Sequence, residues 1–165
     1  MPNLKRATLS LVGERMKGGK TAFTRNWVWN RLADANGDHS PRYLIQLLHQ
    51  VTEWERTENK RSPYDRSIIR PRGFIAVLPD VSEQAFGALR DEEFQELTPL
   101  MVKLSEVGRT PLVIDDLAAV DKDLIELARE VGLLGVYDGS EEQVDRFKVP
   151  ELFRNALRMT RKGQA

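Results

Sequence analysis

The sequence predicts a mainly α-helical protein, with a helical bundle over residues 1–88 and a winged helix-turn-helix bearing a small β-hairpin wing over residues 89–165. Three observations predict it. Apolar residues recur every three or four positions along most of the chain, the period of a helix with one buried face. LLGVY and VDRFKV, on either side of the turn Asp138-Gly139, read as a two-stranded hairpin. The second half runs in the order of three helices, a hairpin and a closing helix, which is that of a winged helix.

Taken in order, residues 1–21 are basic and glycine-bearing with a weak apolar pattern. Phe23, Trp27, Val28 and Leu32 then recur at helical spacing, giving a short helix from Phe23 to Ala33 that ADANGDHSP breaks. Ser40 suits an N-cap and Pro41 the first helical position. Leu44, Ile45, Leu47, Leu48, Val51 and Trp54 share one face of the helix that follows. The segment ERTENKRSPYD is polar and reads as an exposed loop. Another helix starts near Pro71 with Phe74, Ile75 and Leu78, and Pro79 is expected to end or kink it before a further helix through Phe86 and Leu89.

In the second half, Phe94, Leu97, Leu100, Met101, Leu104 and Val107 form a helix stripe. A short segment at Val113–Ala119 precedes Asp121, a good N-cap. Leu124, Ile125, Leu127, Ala128 and Val131 make the next helical face, which Gly132 stops. After the hairpin, a last helix starts near Pro150 and carries Leu152, Phe153, Ala156 and Leu157.

Composition narrows the function classes. The absence of cysteine excludes disulfides, thiol catalysis and cysteine-based zinc sites. His39 and His49 are the two histidines and have no ligand-spaced cluster around them, which argues against a metal centre. No apolar run is long enough for a membrane span and no signal-peptide pattern is seen, so the expectation is a cytoplasmic protein without a membrane partner. The net charge of zero conceals an asymmetry: residues 1–79 carry +7, residues 80–109 carry −4, residues 110–157 carry −6 and residues 158–165 carry +3. A basic front half suits phosphates, and the acidic segment behind it repels them.

One stretch imitates a phosphate-binding loop. LSLVGERMKGGKT, Leu9 to Thr21, leads an apolar run into glycines and closes on Gly19-Lys20-Thr21, which makes Lys17 and Lys20 candidate phosphate contacts. PLVIDD, Pro111 to Asp116, imitates the strand and acidic residue that position magnesium in the same enzymes. The spacing fails. The loop requires G-x-x-x-x-G-K-[ST], whereas Gly13 is followed by five residues before Gly19, and Gly18 is followed by glycine rather than lysine. The context fails too, since residues 22–110 offer helices where several parallel strands are needed.

A different part of the chain resembles such enzymes. GDHSPRYLIQLL, Gly37 to Leu48, resembles the sensor-2 segment in the helical lid of AAA+/STAND-like P-loop ATPases, and the likeness extends through GERMKGG and WVWNRLADANGDHSPR to the ending FKVPELFRNALRMTRKG. That ending looks like the close of many bacterial P-loop ATPases. The resemblance implies a helical lid-type bundle at 1–88 and a winged helix at 89–165, without the nucleotide-binding core. It also implies that Arg42, at the start of a lid helix, senses nucleotide phosphates. ATP and magnesium would then be met only together with a partner core, and the chain alone would bind no cofactor and catalyse nothing. A protein partner supplying that core, or an effector, is implied with it.

Two other readings remain. A winged helix usually presents its third helix to the major groove of DNA, with Lys122, Arg129, Arg146 and Arg154 as the candidate nucleic-acid contacts here. DKDLIELAREVG and the wing DGSEEQVDR are acidic, however, and affinity for duplex DNA comes largely from cations. That disfavours a DNA-binding regulator against a protein-facing module. A degenerate small P-loop nucleotide-binding enzyme is the third reading.

Overall fold

The computed structural model describes residues 10–16, 22–140 and 142–161. The described residues are mostly helical, with six α-helices and small sheets. The order begins with β1 (Ser10–Val12), α1 (Thr24–Leu32), α2 (Pro41–Arg61), β2 (Ser67–Ile69) and α3 (Arg72–Gly87). A π-helical turn at Ala88–Glu93 and a 3-10 turn at Gln95–Leu97 lead into α4 (Thr98–Val107). The remainder is β3 (Arg109–Thr110), β4 (Leu112–Val113), a 3-10 turn at Ile114–Leu117, α5 (Lys122–Glu130), β5 (Gly135–Gly139), β6 (Val144–Lys148), α6 (Glu151–Arg154) and β7 (Thr160–Arg161).

Parallel pairing joins β1 to β2 and β3 to β7, while β4, β6 and β5 form a three-stranded antiparallel sheet in that order. One buried apolar cluster runs through the molecule, from Val28 and Leu32 in α1 to Leu152, Phe153 and Leu157 around α6, and crosses residue 88 without a break. The most extensive contact between helices is that of α2 with α3. Gly73 permits it, because a Cβ there would lie 2.8 Å from Trp54 and 2.9 Å from Val51.

Three expectations are corrected. First, α2 does not stop before ERTENKRSPYD but continues to Arg61. Leu47, Val51, Glu55 and Glu58 form its buried stripe, and the last two are buried because arginines meet them. Arg70 donates from Nε to Glu55 Oε1 at 2.9 Å and also reaches Asn59 and the Ser62 carbonyl. Arg72 binds Glu58 at 2.5 Å. Polar residues read as loop in a periodicity count, yet here a salt-bridged pair takes the place of an apolar one.

Second, Pro79 neither ends nor breaks α3, which runs through it to Gly87. A proline leaves the carbonyl four residues earlier without its helical donor. That residue is Ile75, and both it and Pro79 face solvent, where water serves as donor; Phe74, Val77, Leu78 and Val81 stay packed on the inner side. Third, the hairpin turn is not Asp138-Gly139, which belong to β5; the chain reverses after them, where Ser140 Oγ accepts from Gln143 N at 3.1 Å. Other expectations hold in part: Pro41 starts α2, but Ser40 at its N-cap makes no side-chain capping bond, α4 begins after Phe94 and Leu97, β5 after Leu133 and Leu134, and α6 ends at Arg154 before Ala156 and Leu157. The Asp121 carboxylate does cap α5, accepting from Asp123 N at 3.0 Å.

Candidate functional site

Arg42 sits in the first turn of α2, immediately after Pro41, and is exposed. Its Nη1 lies 3.5 Å from Glu92 Oε2 in the π-helical turn, with the two side chains 51% and 62% exposed. A contact of that length between solvated groups is worth about 0–1 kcal/mol, so a stronger anion can take the guanidinium from Glu92. Next to it, Tyr43 is half-buried. Burial pushes its phenol pKa up, and Glu93 and then Glu92 push the same way while Arg42 opposes. Ile45, one turn along from Arg42, is also exposed, as are Leu48, Trp29 and Leu11. Between β1, α1 and α2 lies an apolar groove of about 640 Å³ walled by Val12, Phe23, Val28, Trp29, Leu44 and Leu48.

The loop that delivers the chain to Arg42 also touches the other end of the molecule. Asp34 Oδ1 accepts from the amides of Asn36 at 2.9 Å and Asp38 at 2.8 Å, which folds the loop on itself. His39 closes it from the other side: its ring stacks on Trp29 at 3.7 Å, and its Nε2 donates to the Trp29 carbonyl at 3.0 Å. Asn36 then projects onto the C-terminus of α5. Its Nδ2 donates to the carbonyls of Arg129 at 3.2 Å and Glu130 at 3.0 Å, and Ala35 N donates to Gly132 O at 2.8 Å. The Arg129 and Glu130 carbonyls belong to the last turn of α5, where helical donors run out, and Arg129 O also accepts from Gly132 N at 3.1 Å. Gly132 has φ +75°, and a side chain there would overlap the Asp34 carboxylate, so glycine is needed for both conformation and space.

Among the candidate nucleic-acid contacts, Lys122 is exposed in the first turn of α5. Arg129 is largely covered and donates from Nη1 to both Glu126 oxygens, at 3.1 and 3.0 Å. Arg146 donates from Nε to Asp138 Oδ2 at 3.0 Å, lies over the Tyr137 ring, and has its pKa raised by the Asp138 hydrogen bond. Arg154 Nη2 binds Glu151 Oε2 at 2.6 Å. The exposed side of α5 therefore presents Asp121, Asp123, Glu126 and Glu130 beside Lys122. Lys17 and Lys20, the candidate phosphate contacts, lie outside the described residues.

The four nucleic-acid candidates are thus spread over α5, the hairpin and α6 rather than lined up, and Arg42 is apart from them on α2. Trp27 and Trp54 pack against the core, with Arg31 over the Trp27 ring at 4.3 Å, whereas Trp29 is 55% exposed. Among the described residues no group of three or more metal-ligating side chains converges, and no helix is long and apolar enough to cross a membrane. Sequence reasoning did not find Asn36. Asn36-Gly37 carries a turn signal, but nothing local announces that its amide would meet a helix end more than ninety residues away. Comparison with protein-family models, with curated proteins and with solved structures finds no match to this chain.

Proposed function

We propose that the chain is the lid and winged-helix portion of an ATPase-related switch protein of the AAA+/STAND-like kind, a nucleotide-sensing and protein-interaction module without catalytic activity of its own. In this reading residues 1–88 are the lid and residues 89–165 the winged helix. The observation that carries it is the Asn36 contact. The entry to the Arg42 helix and the C-terminus of α5 are held together by three hydrogen bonds, so a pull on Arg42 is transmitted to α5 within a few residues. The winged-helix reading is supported by the order α4, Ile114–Leu117 and α5 followed by the hairpin β5-β6, which pairs with β4 in one antiparallel sheet. Arg42 would exchange its weak contact with Glu92 for the phosphates of an ATP–magnesium complex held by a core, supplied by a partner protein or by another part of the same protein. The apolar groove between β1, α1 and α2 suits burial against such a core.

A protein effector, rather than DNA, is the partner that suits the winged helix. Its exposed helix face is acidic, and Arg129, Arg146 and Arg154 are each engaged by a carboxylate of their own segment or strand pair. Arginines already neutralised release few counterions on a duplex.

The test has three arms, two on the purified chain and one on the chain together with a nucleotide-binding core. Calorimetry with ATP and magnesium is expected to show no tight binding; micromolar affinity lost on Lys20→Ala would favour the P-loop enzyme instead. Selection from a random duplex pool is expected to enrich no motif. Enrichment abolished by Lys122→Glu or Arg129→Glu would make the chain a DNA-binding regulator. With the nucleotide-binding core present, Arg42→Ala is expected to blunt the response to ATP while the fold stays intact, and an unchanged response would reject the sensor role.

A further inference from the structure

Asn36-Gly37 is the only asparagine–glycine pair in the sequence; Asn3, Asn26, Asn30, Asn59 and Asn155 each precede a residue with a side chain. The side-chain amide of an asparagine is open to attack by the backbone nitrogen of the next residue, and a side chain there hinders the approach. Glycine offers no such hindrance. Asn36 and Gly37 are both exposed, and a Cβ built on Gly37 would meet nothing within 4 Å. Gly37 has φ +86°, so the turn takes glycine for its conformation and the reactive pair comes with it. Asn26, Asn30 and Asn59, by contrast, lie inside α1 and α2, where the helix fixes their backbone.

While the loop is seated on α5 the pair is restrained. Gly37 N donates to Asp34 O at 3.2 Å, so the nucleophile is engaged as a donor. Asn36 Nδ2 donates to the carbonyls of Arg129 and Glu130, so the leaving group is held on the helix end. These hydrogen bonds lie in an exposed loop, the class of contact that opens most readily.

We propose that Asn36 is a site of spontaneous deamidation, gated by release of this loop from α5. Gly37 N bonds to Asn36 Cγ and the Cγ–Nδ2 bond breaks. The proton of Gly37 N passes through water to the departing nitrogen, which leaves as ammonia, and an imide ring remains. Water then opens the ring: cleavage at Cγ gives aspartate at position 36, and cleavage at the main-chain carbonyl gives isoaspartate, with the backbone routed through Cγ. Either product has lost the amide donor. A carboxylate only accepts, and at the C-terminus of α5 its charge faces the negative end of the helix. The loop cannot regain its hold on the Arg129 and Glu130 carbonyls, and loss of ammonia makes the change one-way. The modification stands on the Asn36 contact alone; its effect on coupling between Arg42 and α5 rests on the proposed sensing function.

The experiment is incubation of the full chain at mildly alkaline pH, followed by tryptic mapping with mass spectrometry, in which the peptide 32–42 carries Asn36. In the folded chain, conversion at Asn36 is expected to outpace that at Asn26, Asn30, Asn59 and Asn155, and to speed up in urea, where the loop is released. Gly132→Ala, which unseats the loop without touching the reacting pair, is expected to accelerate Asn36 and none of the other four. Circular dichroism checks that this variant folds; if it does not, the comparison of native and urea rates decides the gating. Gly37→Ala in urea, where no fold is at stake, is expected to slow conversion severalfold. Converted protein, separated by ion exchange, is expected to exchange deuterium faster at residues 131–134 than unconverted protein. Conversion at Asn36 no faster than at the other asparagines, or a rate unaffected by both urea and Gly132→Ala, would overturn the proposal and leave the coupling standing. Conversion with unchanged exchange at 131–134 would instead overturn the release, and the coupling with it.

Discussion

Replacing Asn36 with alanine tests whether the loop before α2 and the end of α5 act as one unit. The change deletes two hydrogen bonds, to the carbonyls of Arg129 and Glu130 at 3.2 and 3.0 Å. Both are exposed, so water replaces the lost donor and no buried group is stranded. Each bond then sits at the low end of its usual range, and the pair contributes about 1 kcal/mol. For a chain of this length the melting temperature should fall by about 2–4 °C. The local effect is more diagnostic. Amides of Val131, Gly132, Leu133 and Leu134, which bond back into α5, should exchange with deuterium about fivefold faster, as should the Ala35 amide, while α3 is unaffected. Asn36→Asp should be worse than alanine by about 0.3–1 kcal/mol, because it sets a negative charge at the negative end of a helix. Hydrogen exchange with mass spectrometry, beside urea unfolding, gives both numbers. If exchange at 131–134 is unchanged, or if aspartate is tolerated better than alanine, the contact carries no load and the mechanical coupling built on it fails.

Three further outcomes are expected. Gly132→Ala should cost about 1–3 kcal/mol by thermal melting, since φ is +75° and the new methyl group meets Asp34; a neutral result would mean that the loop is not seated as described. Arg70→Ala should cost about 3–5 kcal/mol because it leaves Glu55 buried without its partner, whereas the double change Glu55→Leu with Arg70→Met should cost much less, and urea unfolding separates the two. Tyr43 should titrate above the ordinary phenol range in the folded protein, owing first to burial and then to Glu93. Its ionisation therefore opposes folding: this contribution is intact below the unfolded phenol pKa and is lost as pH rises towards the folded one. Ultraviolet titration against Tyr43→Phe checks it, and an unshifted phenol would contradict the half-buried placement.

Much of the local structure was legible in the residues. Apolar spacing placed α1, the start of α2, α4 and α5; Asp121 announced its cap, and the strand-rich stretches around Asp138-Gly139 announced a hairpin. The acidity of residues 110–157 was equally plain, and the proposal of a protein partner rather than DNA rests on it. These follow from the sequence alone because helix period, capping and net charge are properties of neighbours along the chain. Tertiary structure decided the rest. Glu55 and Glu58 belong to a helix because Arg70 and Arg72 come round to neutralise them, and Pro79 stays inside α3 because the position faces water. The grip of Asn36 on α5, and the gathering of Arg31, Arg154 and Arg161 about Glu151, join segments that no local pattern relates. A charge or an amide has no directional signature in sequence. Only the packed core, by fixing which helix end meets which loop, determines the partner it finds.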